Sequence, residues 1–166
     1  VYVDSTSVDR LTIRTAAGDF TPVGTQFEVR LGGGATHLRV REGRVSAAHH
    51  HRSEIAAAGE ELVIRGDGSV SRTSIRPDAP TWQWVVETAQ MPPIEGRTLD
   101  SFLRWIGREK GWKVTFATPE AASLASTTIL HGSVDGMSPD HALRTVALSS
   151  GIDCRVSDGV LIVAVD

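Results

Sequence analysis

The chain has 166 residues with a formal net charge of −3, 40% apolar and 22% charged side chains, a globular composition that makes no electrostatic case for nucleic acid or an anionic membrane. No apolar run approaches the ~20 residues that span a bilayer, and the single Cys excludes an internal disulfide and every multi-cysteine metal motif. The chain opens on Val1, with neither Met nor a signal peptide, and reads as a piece of something longer.

Residues 1–78 read as an all-β domain. Apolar residues alternate with polar ones at Leu11 and Ile13, at Phe27, Val29 and Leu31, at Leu38 and Val40, at Val45 and Ala47, and at Leu62 and Ile64. A period of two means one buried and one wet face. Ala17-Gly18-Asp19, Gly32-Gly33-Gly34, Glu42-Gly43, Gly59 and Gly66-Asp67-Gly68 read as reversals between six or seven short strands. The spacing fits a sandwich, a barrel or a flattened solenoid.

Residues 79–90 read as a linker and connecting strand. Arg76-Pro77-Asp78-Ala79-Pro80 breaks regular structure, and Trp82, Trp84 and Val86 would then share one strand face. That stripe suits packing where the two halves meet. Its alternative use is as a stacking platform for a glycan or cell-wall ligand at Trp82 and Trp84.

Residues 91–166 repeat themselves at a shift of 40. Ile94-Glu95-Gly96-Arg97-Thr98 lies over Val134-Asp135-Gly136-Met137-Ser138, and Gly111-Trp112-Lys113-Val114 over Gly151-Ile152-Asp153-Cys154. Each unit reads as strand, capped helix, glycine stop, strand. Thr98 and Ser138 are N-caps, Pro139 suits the first helical position, and Gly111 and Gly151 suit left-handed C-terminal positions. Leu99, Phe102, Leu103 and Ile106 make one apolar stripe, which Leu143, Val146, Ala147 and Ser150 repeat more weakly. Thr118-Pro119-Glu120 starts a short helical turn, Ile129 to Val134 reads as a strand, and Asp158-Gly159 closes a β-hairpin. The expected fold is mixed: an all-β domain, then a small βαβ-repeat domain with two helices packed on a short sheet.

Candidate chemistry is sparse. His49-His50-His51 could place two imidazoles on one strand face about 7 Å apart, but no further ligands follow at metal spacing, and a polar loop is the simpler reading. His131, Ser133 and Asp135 would line one strand face, yet side chains along one straight strand do not converge as a triad must. Gly32-Gly33-Gly34 joins strands, so it is no phosphate cradle. Cys154 alternates with Ile152 and Val156 and reads as a buried thiol. No catalytic residue, metal or cofactor is expected.

Several motifs carry a resemblance. Val1-Tyr2-Val3-Asp4, Thr21-Pro22-Val23-Gly24-Thr25-Gln26-Phe27-Glu28-Val29, Val40-Arg41-Glu42-Gly43-Arg44-Val45 and Ala58-Gly59-Glu60-Glu61-Leu62 resemble a FecR domain. Ile94-Glu95-Gly96, Leu130-His131-Gly132-Ser133-Val134 and Ala142-Leu143 resemble the short N-terminal domain of secretins and TonB-dependent receptors. The order is that of FecR-type inner-membrane anti-sigma regulators. The resemblance implies a periplasmic signalling module without catalysis. It would take a signal from the signalling domain of a TonB-dependent outer-membrane transporter, with iron and siderophore uptake as the setting. It would pass the signal to an extracytoplasmic-function sigma factor through a cytoplasmic segment and a transmembrane helix that this sequence does not contain. Strand addition is the expected docking mode, since a sheet edge offers unpaired N–H and C=O groups. The expected edge is Ile129, Leu130, His131, Gly132, Ser133 and Val134.

Overall fold

The computed structural model describes residues 2–4 as backbone, and 11–49, 52–89 and 91–165 in full. It divides the chain into two compact units, Val1–Pro77 and Asp78–Asp166, the first β-rich and the second a small α/β fold.

The first unit holds β1 (Tyr2–Asp4), β2 (Ile13–Thr15), β3 (Gly18–Gly32), β4 (Ala35–His49), β5 (Arg52–Ala57), β6 (Glu60–Arg65) and β7 (Val70–Ser74). The strands are not uniformly short, because β3 and β4, of 15 residues each, form one long hairpin. One end of it pairs with β2 and β5, and the other with β1 and β6, with β7 beyond β6. Phe20 and Phe27 have opposite parity on β3, as do Val40 and Val45 on β4, yet all four have zero exposure. An unbroken strand would put one of each pair in water. Irregular register between Val23 and Phe27 turns the side chains over. Both halves of the hairpin therefore face one core of Phe20, Phe27, Val29, Leu38, Val40, Val45, Ala47, Ala56, Leu62 and Ile64.

Glu42-Gly43 is thus a bend inside β4 and not the expected reversal. Gly43 has φ +76, and a Cβ there would meet the Gly24 carbonyl oxygen at 2.4 Å, so no side chain fits at the bend.

The opposite face of the β3–β4–β6 layer carries charges. Arg39 stands in register between Glu28 and Glu61. It donates from Nη1 to Glu28 at 2.8 Å and from Nε to Glu61 at 2.8 Å. His37 Nδ1 lies 3.0 Å from the same Glu61 oxygen. Burial works to lower the Arg39 guanidinium's pKa, but its bonds to the two carboxylates outweigh this and raise it.

The second unit begins differently from expectation. Residues 80–88 form a 3-10 turn (Pro80–Trp82) and helix α1 (Gln83–Thr88), with no strand. Pro80 sits at the first helical position, which fixes its φ for a helical turn. The buried residues are accordingly Trp82 and Val85, three apart, instead of Trp82, Trp84 and Val86.

The capped helix, glycine stop and following strand of each repeat unit are present in three dimensions, but the strand expected to open each unit is not formed. Helix α2 (Leu99–Lys110) and helix α4 (Pro139–Ser150) each have 12 residues at the 40-residue offset. Thr98 and Ser138 accept from the N–H groups of Ser101 and His141, and Gly111 and Gly151 close the helices at φ 71 and 65. Between them lie β8 (Lys113–Phe116) and α3 (Pro119–Thr127), whose N-cap is Thr118. The chain ends in β9 (Ile152–Ser157) and β10 (Val160–Val165), joined by Asp158 and Gly159, both at positive φ as a type I′ turn requires. The sheet order is β8–β10–β9, with β10 parallel to β8 and antiparallel to β9. Leu161, Val163 and Ile152 meet Leu99, Phe102, Leu103, Ile106, Ala142, Leu143, Val146 and Ala147 in one core. Gly107 lets α2 approach β8, since a Cβ there would lie 2.6 Å from Val114 Cγ2.

Candidate interaction edge

The segment Ile129–Val134 does not form the expected strand. It makes a single antiparallel bridge, Thr98 to Ile129. The reason is local. Leu130 donates its N–H to Arg97 and its carbonyl accepts from Gly96, so both backbone groups are already used. Gly132, at φ 101, leaves the extended region. The apolar alternation that suggested a strand arises because Leu130 and Val134 point into the core, at 5% and 2% exposure.

Glu95 organises this loop, and nothing in the sequence pattern singled it out. Its carboxylate accepts from the Gly132 N–H at 2.6 Å and lies 2.9 Å from His131 Nδ1. The Gly132 bond first, and His131 second, hold the Glu95 carboxyl below the ordinary carboxylate value. Ser133 Oγ accepts from the Asp135 N–H at 3.0 Å. His131, Ser133 and Asp135 are therefore separate loop anchors with no nucleophile–base contact among them.

The small sheet is bordered by β8 and β9, and the border on β9 presents a regular row of backbone groups. Ser157 and Val160 flank the two-residue turn, so they form a hydrogen-bonded pair, and the pairing alternates from there. Arg155–Ile162 and Asp153–Ala164 are bonded pairs, while Val156–Leu161, Cys154–Val163 and Ile152–Val165 are not. The Ala117 N–H bond to the Val163 carbonyl at 2.8 Å agrees, because it shows Val163 facing β8. The N–H and C=O groups of Ile152, Cys154 and Val156 consequently point away from β10, along the border that ends the sheet. Arg155, Val156 and Ser157 are exposed, and Arg155 Nε donates to Asp153 Oδ2 at 2.7 Å on the face away from the helices. Cys154 lies against the core, and burial first, with Asp153 second, pushes its thiol up to about 11.

The remaining candidates fall apart. Trp82 is 1% exposed and Trp84 half-buried on α1, so the pair offers no open stacking surface. His49 is a buried residue of β4, not part of a polar loop, whereas His50 and His51 lie outside the described residues. Among the described residues, no three His, Cys, Asp or Glu side chains group to hold a metal. No helix among them is long and apolar enough to cross a membrane.

No protein-family model and no curated protein matches the chain. Two solved structures from Parabacteroides distasonis, each described as a "putative anti-sigma factor", are similar to it. One is 15% identical with a TM-score of 0.42, covering 96% of this chain and 73% of its own. The other is 16% identical with the same TM-score, covering 95% and 72%.

Proposed function

We propose that this chain is the non-catalytic, periplasmic signal-receiving part of a FecR-type regulator. In this reading it takes a signal from a TonB-dependent outer-membrane transporter and relays it toward an extracytoplasmic-function sigma factor. The motifs resembling FecR and receptor N-terminal domains support the class. The observation that carries the mechanism is the open β9 border. There Ile152, Cys154 and Val156 present backbone donors and acceptors in the alternate pattern that an added strand requires. The transporter's signalling domain would contribute that strand, and the exposed side chains of Arg155 and Val156 would select it.

Titration of the chain with the signalling domain of its cognate transporter, followed by amide NMR, tests this. The expected result is saturable binding with the largest shifts and new exchange protection at 152–157. Saturation with β9 unmoved, or no binding, would overturn it.

A further inference from the structure

The β9 edge is complementary to itself. Its sequence Ile152-Asp153-Cys154-Arg155-Val156 reads apolar, acidic, Cys, basic, apolar, a pattern that an antiparallel copy matches. We infer that a second copy of this chain pairs with it edge to edge along β9, forming a two-fold symmetric dimer with one continuous six-stranded sheet.

Among registers that engage at least two of Ile152, Cys154 and Val156, charge selects one. Only Ile152, Cys154 and Val156 have outward backbone groups, so they must face one another across the two-fold axis. Placing Ile152 opposite Cys154 sets Asp153 against Asp153 of the other copy. Placing Cys154 opposite Val156 sets Arg155 against Arg155. Like charges directly opposite are unfavourable. Placing Cys154 opposite Cys154 sets each Asp153 against the Arg155 of the other copy and each Ile152 against Val156. That register makes about six backbone hydrogen bonds. It pairs all four charges, and it covers Val156, which is 47% exposed. The interface is isologous, as a closed dimer requires. Helix α4, which packs against β9, also carries Leu148 at 83% exposure.

In the cell such a dimer would hold the edge until a partner strand displaced it. The dimer does not depend on the transporter reading, because it is measured on the chain alone.

Sedimentation equilibrium over a concentration series is the test, with circular dichroism confirming the fold of each variant. The wild-type chain is expected to dimerise reversibly. Asp153→Arg and Arg155→Asp each convert both charge pairs to repulsion and weaken the dimer about tenfold or more. The double variant Asp153→Arg/Arg155→Asp restores it, and the two single variants mixed form a heterodimer. A chain that is monomeric at every concentration would overturn the inference. So would a dimer indifferent to the single variants, or a double variant no better than either single one.

Discussion

Arg39 stands directly across from Glu28 on the neighbouring strand, and its Nη1 lies 2.8 Å from a carboxylate on a residue only 1% exposed. Arg30, itself half exposed, holds the other oxygen at 2.8 Å. A buried charge that loses a partner keeps its desolvation cost without the compensating attraction. Arg39→Met should therefore destabilise the first unit by about 3 kcal/mol. Glu28→Leu/Arg39→Met should recover a good part of that loss. Urea unfolding of both variants at neutral pH, followed by a first-unit probe, checks the comparison.

Glu61 makes the same ladder sensitive to acid. Burial alone would raise its carboxyl, but the bonds from His37 and Arg39 outweigh it and hold the folded value below 4.5. A carboxyl depressed on folding adds stability that is complete above its unfolded value and lost as pH falls through the folded one. The side chain is partly solvated, so the contribution is about 1 kcal/mol at most. Unfolding free energy should decline as pH drops from 6 toward 3, and Glu61→Gln should shallow that decline.

The bend in the long hairpin distinguishes two glycines. Gly43→Ala forces a Cβ to within 2.4 Å of the Gly24 carbonyl at positive φ. It should cost roughly 3 kcal/mol, left-handed strain plus the displacement of a backbone. Gly24 has φ 60, and a methyl group there would meet nothing within 4 Å. Gly24→Ala should therefore cost only about 1 kcal/mol, the conformational strain alone. Thermal melts of the two variants side by side separate crowding from conformation.

Cys154 should be a slow thiol. At a pKa of about 11 against the ordinary 9.0, its thiolate fraction at pH 8 falls about 100-fold. Iodoacetamide labelling should be slower in the folded chain by about that factor and should recover in denaturant. Labelling as fast as a free thiol would show that β9 does not pack on the helices.

Where sequence and structure agree, the signal is carried by residues with one stereochemical use. Thr98, Ser138, Gly111 and Gly151 cap two helices at a fixed offset, and Asp158-Gly159 makes one kind of turn. Where they part, periodicity was too short to decide. Trp82 to Val86 shows apolar residues two apart and also three apart, and Pro80 settles it for a helix. Ile129 to Val134 alternates as a strand does, but its backbone is engaged by the turn at Gly96. The change of parity between Val40 and Val45 was visible, yet a reversal and a bulge both produce one. The β9 edge could not be read at all without strand order, because it is the arrangement β8–β10–β9 that puts Ile152–Ser157 at a border of the sheet.

The long β3–β4 hairpin has a consequence for how the first unit comes apart. Its two strands run through both halves of the bent sheet, the layer with β2 and β5 and the layer with β1, β6 and β7, so neither layer owns a separable piece of the hairpin. Prising the layers open means straightening the kink at Gly24 and Gly43, which withdraws Phe20 and Phe27 from their shared core together. The unit should accordingly melt in a single all-or-none step, with no half-opened species in which one layer outlives the other.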